Sequence, residues 1–250
     1  MTGRLLRLAV VVTLVVAVGA GVEAVLPTGP ASPDANAPVA PLDLRYTCGA
    51  FPFAPGLLTA GPGDAEQAND PAAGHLRAFL AGEGPDFDFL PDAGWHLTGL
   101  DAQQAEFVTV GGDLRIFVVS LKNGIEGWQV TNYGDCQPRV ELAGGLGAAE
   151  WAFDPSQPKP GAATQVFDVL VTEMSCNGGQ PADGRIVGPQ IVRSADTVLV
   201  IFAVRPLPGG HTCQSNPSTR TRVDLGEPLG DRKLLDGGRL PPGDPAQPPF

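Results

Sequence analysis

Glycine and proline interrupt this chain so often that its regular elements are expected to be short. The 250 residues include 33 glycines and 26 prolines, about a quarter of the sequence, just below the level typical of general disorder. Both residue types favour turns and weaken the interior of helices and strands. Hydrophobic residues make up 43% of the chain, which is enough for a packed core. The sequence therefore predicts a folded protein with frequent turns.

The first residues have the pattern of an export signal. Arg4 and Arg7 precede an uncharged, mostly apolar run from Leu8 to Val22. As a helix this run would span about 22 Å, short of the hydrocarbon core of about 30 Å. We therefore predict that residues 1–24 are a signal peptide, with a retained membrane anchor as the alternative. Either way, the chain is expected outside the cytoplasm, in the extracellular space or the cell envelope.

Proline-rich segments flank the part of the chain that is expected to fold. Residues 25–43 and 239–250 are rich in proline and small residues and poor in large apolar side chains. Such a composition favours an extended, solvated chain. The first segment is predicted to be a linker and the second a disordered tail. Between them, we predict an α+β unit over 44–143 and a β-rich unit over 144–238.

The first unit combines one helix with an antiparallel meander. Asp70-Pro71 supplies a helix N-cap and a first-turn proline, and Gly82 follows the helical pattern. Apolar residues then alternate, which is typical of strands. Asn123-Gly124 suits the two central positions of a tight hairpin turn. The predicted strands are Glu106 to Val110, Leu114 to Lys122 and Ile125 to Thr131.

The second unit is predicted to be a sandwich-like, antiparallel β structure. Its most apolar stretch, Val198 to Val204, has hydrophobic residues at both alternating sets of positions. A strand of this kind lies in the centre of a sheet that is covered on both faces. The other predicted strands are Glu150 to Asp154, Gln165 to Glu173, Gly184 to Val192 and Thr221 to Leu225.

The four cysteines predict two disulfides. Their spacing gives no zinc-binding or redox C-x-x-C motif, and an even number of cysteines behind an export signal is typical of disulfide bonding. We expect Cys48 to pair with Cys136 and Cys176 with Cys213, because each bridge then stays within one predicted unit. The other two connectivities are the alternatives.

The charge balance excludes some classes of partner. The chain has 16 lysines and arginines against 27 acidic residues, a net charge of −11. Nucleic acid is not an expected partner, since binding its backbone needs a basic face. Anionic lipid would also be repelled. Contact with a membrane is expected only through the N-terminal segment.

One loop departs from this acidity. Arg205, His211, Arg220 and Arg222 lie in a stretch that contains no acidic residue. These four residues are the predicted binding site for an anionic partner of the envelope or extracellular space. The alternative is a long polar connection that Cys213 holds in place.

No motif indicates a catalytic residue, a cofactor or a metal. The three histidines show no metal-binding spacing, no serine lies in G-x-S-x-G, and Asp86, Asp88 and Asp92 do not complete a calcium loop. We expect a disulfide-stabilised binding module and not an enzyme. The alternatives are an extracellular hydrolase with a convergent site and a protease inhibitor that uses the loop Asn177 to Asp183.

The pattern of several short segments resembles a group of exported proteins. These segments are Gly184–Ile186, Phe202–Gly210, Thr212-Cys213, Asn216-Pro217, Val223–Arg232, Leu235–Gly238 and, upstream, Trp128 with Tyr133–Cys136. Together they resemble uncharacterised exported proteins of actinobacteria over most of residues 45–242. The resemblance implies a cell-envelope or extracellular location and no particular activity.

Overall fold

The computed structural model describes residues 44–82, 89–112 and 114–247. The predicted signal peptide, the predicted linker, Asp86 and Asp88 lie outside these residues. Within them the chain is β-rich, and almost every strand pair is antiparallel. The regular elements are α1 (Pro71–Leu80), β1 (Tyr46–Thr47), β2 (His96–Leu100), β3 (Gln104–Val110), β4 (Ile116–Gly124), β5 (Gly127–Cys136), β6 (Arg139–Val140), β7 (Gly147–Phe153), β8 (Val166–Glu173), β9 (Ile186–Arg193), β10 (Thr197–Val204), β11 (Thr219–Asp224) and β12 (Lys233–Asp236).

Helix α1 begins where the sequence predicts a cap. The side chain of Asp70 accepts a hydrogen bond of 2.8 Å from the backbone N–H of Ala73, and Pro71 occupies the first turn. Ala72, Ala73 and Leu76 are the buried residues of the helix. The helix packs on a sheet of four strands.

The four-stranded sheet is an antiparallel meander in the order β2-β3-β4-β5. The predicted hairpin turn at Asn123-Gly124 is wrong by two residues, because Gly124 pairs with Gly127 and the turn falls on Ile125 and Glu126. Asn123 remains in the strand because its N–H donates to Gln103 O at 2.8 Å and its side chain to Ala102 O at 3.1 Å. These contacts extend β4 through Asn123 and Gly124, the two residues at which the sequence predicts the turn.

The second sheet has six strands, and β10 is central in it. Strand β9 pairs along one side of β10. Along the other side, β12 pairs in parallel with Thr197–Val200 and β7 pairs with Phe202–Val204. Strands β8 and β11 continue the sheet beyond β7. This confirms the prediction that Val198 to Val204 form an interior strand.

Three hydrophobic clusters hold these layers together. The first covers one face of the six-stranded sheet around Trp151 and Phe202. The second lies between α1 and the four-stranded sheet around Trp95. The third joins the two sheets, because Val118 of β4 and Ile201 of β10 belong to it together. Residues from both predicted units therefore share one core.

Residues 239–247 of the C-terminal segment are held by backbone hydrogen bonds, where the sequence predicts a disordered tail over 239–250; residues 248–250 lie outside the described residues. Gly243 exchanges two hydrogen bonds with Asp236, and Leu240 N donates to Pro138 O at 2.9 Å. Phe153 N donates to Pro245 O at 3.0 Å. Proline lacks an N–H but keeps its carbonyl acceptor, so a proline-rich segment can still be held through its carbonyl groups.

Both predicted disulfides are present. Cys48 is bonded to Cys136, with Cα atoms 5.8 Å apart, and Cys176 to Cys213, with Cα atoms 4.4 Å apart. Bonds of this kind persist in an oxidising environment such as the extracellular space. Among the residues that the structure describes, no helix is long and apolar enough to cross a membrane.

Candidate functional site

A cleft of about 750 Å³ lies over the part of β7 and β8 that faces away from the first hydrophobic cluster. We call it the outer cleft. Its walls come from the loop after β7, the loop between Cys213 and β11, and the C-terminal segment at Pro245 and Ala246. A volume of this size lies in the range of small-molecule binding sites, roughly 300–1,000 Å³. Four separate parts of the chain thus contribute to one concave surface.

The alternation of side chains along the strands forms the floor of the cleft. Val169 and Val171 of β8 point into the first hydrophobic cluster. Leu170 and Thr172 therefore lie on the opposite face, because successive side chains of a strand alternate. Ala152 of β7 lies beside Leu170 in the register. Strand β8 pairs with β7 and β11, whereas β7 pairs with β10 only through Gly147–Ala149. Beyond these residues, the backbone N–H groups of Trp151 and Phe153 donate to Asp236 Oδ2 and Pro245 O.

Asp154 fixes the wall that follows β7. Its Oδ1 accepts hydrogen bonds from the backbone N–H of Ser156 at 2.9 Å and from the Ser156 hydroxyl at 2.7 Å. Arg220 reaches across from β11 and forms an ion pair with Asp154 Oδ2 at 2.5 Å. The Ser156 hydrogen bonds, with the charge of Arg220, lower the pKa of Asp154 below its usual range. Asp154 is therefore ionised at neutral pH and already has a cationic partner.

The opposite wall is held by Asn216. Its Nδ2 donates to Glu173 O at 2.8 Å and to Ser175 O at 2.7 Å, which fixes the orientation of the amide. Its Oδ1 is enclosed and accepts no hydrogen bond from the described residues. Nearby, the hydroxyls of Thr172 and Ser218 lie 2.8 Å apart. The Cys176–Cys213 disulfide restrains the start of this loop.

Glu173 anchors the region behind that wall. It is only 3% exposed and receives both terminal nitrogens of Arg185, at 3.0 and 2.5 Å, and Asn177 Nδ2 at 2.6 Å. Burial acts to raise the pKa of Glu173, but the hydrogen bonds from Arg185 and Asn177 outweigh it, and the pKa is lowered. This carboxylate also stays ionised and fully partnered.

The loop from Asn177 to Asp183 is a compact turn. Asn177 is buried, and its Oδ1 accepts a hydrogen bond from Gln180 N at 2.9 Å while its Nδ2 donates to Gln180 O at 2.7 Å. Ala182 is also buried. Asn177 at the start of the loop and Ala182 near its end therefore point inward, while Asp183 is exposed.

The structure brings only part of the predicted basic site to the cleft. Arg220 and Arg222 share the exposed face of β11, where Arg220 is paired with Asp154 and Arg222 lies opposite Asp168 in the register. The backbone oxygen of Arg205 accepts a hydrogen bond of 2.9 Å from Arg185. His211 contacts Pro208 O through Nε2 at 3.1 Å. Binding of an anionic partner by Arg205, His211, Arg220 and Arg222 stays a prediction.

A second group of charged side chains is buried beside β7 and β12. Arg139 forms an ion pair with Glu150, which is 2% exposed. Asp236 is equally buried and accepts hydrogen bonds from Gly238 N at 2.9 Å and Trp151 N at 3.4 Å. Burial raises the pKa of Asp236 to about 6. Burial, with the charge of Asp236, raises the pKa of Tyr46 to about 12.

Two other buried carboxylates have structural partners. Glu66 accepts hydrogen bonds from the backbone N–H groups of Gly94 and Trp95, at 3.3 and 3.1 Å. Glu106 accepts from Ala50 N at 3.0 Å and from Ser120 Oγ at 3.2 Å. Each therefore fastens a loop to the four-stranded sheet. In the described part of the chain, no group of three or more histidine, cysteine or acidic residues is placed to hold a metal ion.

The sequence did not predict the outer cleft. The lining residues are ordinary polar and apolar side chains spread over the second half of the sequence, and no local motif connects them.

Comparisons with protein-family models, with curated proteins and with solved structures give no match to this chain. The functional argument therefore starts from the geometry of the cleft.

Proposed function

We propose that this protein is an exported, disulfide-stabilised binding module of the cell envelope or extracellular space, which takes its ligand in the outer cleft. The observation that carries the proposal is a cleft of ligand size whose walls are fixed before any ligand arrives. Asp154, Asn216 and the Cys176–Cys213 disulfide hold these walls. A preformed site loses less conformational entropy on binding.

The proposed location has separate support. Two disulfides favour an oxidising compartment. The N-terminal pattern of residues 1–24 and the resemblance to exported actinobacterial proteins agree with it. We interpret the packing of the four-stranded sheet on the six-stranded sheet as a sandwich-like arrangement, which would suit a rigid recognition scaffold.

An extracellular hydrolase is the alternative function. Asp154 and Glu173 both line the cleft, as a carboxylate pair would in a glycosidase. Such a pair needs one carboxyl group with a raised pKa that donates a proton to the leaving group. Here the pKa of each carboxyl is lowered and each already has an arginine partner. This electrostatic arrangement favours binding over hydrolysis.

The protease-inhibitor alternative depends on an exposed, extended loop that a protease could accept as a substrate. The segment Asn177 to Asp183 forms a compact turn with Asn177 and Ala182 buried. This geometry favours a structural role for the loop.

A filled-cleft variant tests the binding function. Ala152→Phe would place a large side chain on the cleft floor, and Ala163→Phe would add the same volume on an exposed turn outside the cleft. A panel of neutral saccharides, short peptides and carboxylates would be added to the isotopically labelled protein. We expect amide chemical-shift changes at cleft residues in the native protein and the Ala163 variant, and none in the Ala152 variant. Thermal unfolding controls for folding, and a panel that leaves the native cleft unchanged would contradict the proposal.

A further inference from the structure

We infer that the outer cleft takes an uncharged, hydroxyl-rich ligand, namely a neutral saccharide. The inference rests on the proposed binding function and adds the chemical class of the ligand. It follows from the charge, the hydrogen-bonding capacity and the backbone pairing of the cleft, which are independent features.

The charges around the cleft are almost fully compensated within the protein. Asp154 is paired with Arg220 and Glu173 with Arg185, each at 2.5 Å. Lys159 is the lining cation without an acidic partner among the described residues, and it is exposed to solvent. The whole chain is strongly acidic, at −11, and would repel an anionic polymer. An uncharged ligand enters this cleft without having to break an ion pair.

The unused polar groups of the lining are neutral and can both donate and accept. Gln157, Gln214 and Ser215 line the cleft, and their side chains make no hydrogen bond to the residues that the structure describes. The Thr172 and Ser218 hydroxyls bond each other and keep capacity for further bonds. Saccharide hydroxyls have this same dual capacity, whereas a carboxylate or phosphate oxygen only accepts. Each side-chain amide can therefore bond neighbouring sugar hydroxyls in both directions.

The cleft floor disfavours an extended peptide. Peptides that add to a sheet bind through the free backbone groups of an edge strand. Strand β8 lies between β7 and β11, and in β7 the N–H of Phe153 already donates to Pro245 O, so neither floor strand presents an open edge. Two side chains add apolar surface to the lining. Phe153 is half-buried, and Met174 is 39% exposed. The C–H faces of a sugar ring can pack on such a surface while its hydroxyls reach the walls.

Titration with defined probes tests the inference. Maltotriose, cellotriose and chitotriose are the neutral probes, trigalacturonic acid is the anionic saccharide, and N-acetyl-trialanine amide is the peptide. We expect at least one neutral trisaccharide to shift amide signals of the cleft at millimolar concentration, with weaker or no effect from the other two classes. Mass analysis of the saccharide after incubation reports whether it is cleaved.

A matched pair of variants links the binding to the cleft. Thr172→Val removes a hydroxyl from the cleft and keeps the shape of the side chain. Thr131→Val makes the same change on exposed β5, where the hydroxyl bonds Ser120 O at 3.3 Å. We expect Thr172→Val to weaken binding about fivefold, the value of one typical hydrogen bond, and Thr131→Val to leave it unchanged.

The outcomes separate the two proposals. Cleft signals that respond to trigalacturonic acid or to the peptide, and to none of the neutral trisaccharides, would overturn the saccharide inference and leave the binding function in place. Cleft signals that respond to no probe overturn the saccharide inference and count against the binding function. Equal affinities of the two threonine variants would also contradict the inference, and cleavage of the bound saccharide would support the hydrolase instead.

Discussion

Burial raises the carboxyl pKa of Asp236, and the cause is local. Asp236 is 2% exposed, and two backbone N–H groups hold its oxygens. Arg139 and Arg239 lie close enough for their charges to lower its pKa, but burial outweighs them and the pKa reaches about 6. Arg139 itself forms an ion pair with Glu150.

This shift predicts that mild acid stabilises the fold. A carboxyl group whose pKa is raised in the folded state binds its proton more tightly there than in the unfolded chain. Its contribution to stability is therefore present at low pH and lost as the pH rises through 6. Between about pH 7.5 and about pH 5 the free energy of unfolding should increase by about 1 kcal/mol. Denaturant unfolding at a series of pH values measures this.

Asp236→Asn is the control for that experiment. The variant cannot titrate at this position, so the increase between about pH 7.5 and about pH 5 should disappear. An equal increase in the variant would assign the effect to another group. At lower pH both proteins should lose stability, because the pKa values of Asp154 and Glu173 are lowered and their ion pairs are lost on protonation.

Individual residues differ in how far the sequence reveals their role. The cysteine pairing was predictable, because four cysteines allow few connectivities and two of them stay local. The roles of Asn216 and Asp154 were not. Their partners Ser175 and Arg220 are distant in sequence, and each contact depends on how the strands are arranged. A side chain that acts through long-range contacts leaves no local pattern.

Elements with strong local signals were predicted well. Helix α1 has a capping aspartate followed by proline, and β10 has an unbroken apolar run. The turn between β4 and β5 was misplaced, because contacts of Asn123 with Ala102 and Gln103, between β2 and β3, outweighed the preference of Asn-Gly for a turn. Short β12 was missed, since its four residues follow a turn-rich stretch and are recognisable only by their parallel pairing with β10.

For single elements, the N-cap of α1 gives a testable prediction about stability. Replacing Asp70 with alanine removes the acceptor for the N–H of Ala73 and should lower the free energy of unfolding by about 1 kcal/mol. Asp70→Ser keeps a capping oxygen and should cost much less. Urea unfolding of both variants measures the difference. If the two lose equal stability, the cap does not contribute to the fold.

At the scale of the whole molecule, the sequence predicts two units, over 44–143 and 144–238, but residues of both contribute to one hydrophobic cluster. The third hydrophobic cluster contains Val118 from the first predicted unit and Ile201 and Val192 from the second. No periodicity reveals which sheet faces will meet, because a strand buried on both faces looks the same whatever covers it. The boundary between 143 and 144 stays a prediction, and the shared core is what the sequence did not reveal.

The two disulfides are expected to differ in how much they stabilise the whole fold. They close loops with sequence separations of 88 and 37, and the chain-entropy estimate gives about 5 and about 4 kcal/mol for loops of these lengths. Replacing Cys48 and Cys136 with alanine should therefore lower stability slightly more than replacing Cys176 and Cys213. Thermal unfolding of both double variants measures this.

The two variants should also differ in binding. Only the Cys176–Cys213 bridge restrains a wall of the outer cleft. At a temperature where both variants are folded, loss of ligand binding should therefore be confined to the variant that lacks this bridge. Loss of binding in the Cys48 and Cys136 variant alone would contradict the assignment of the wall.

The pairing of Gly243 with Asp236 has a consequence for limited proteolysis. The segment that follows β12 supplies one wall of the cleft at Pro245 and Ala246, and it lies outside the strands of both sheets. A cut in the backbone between Asp236 and Gly243 would therefore leave every strand intact and release this wall. A preparation clipped there would be folded and would have an incomplete binding site.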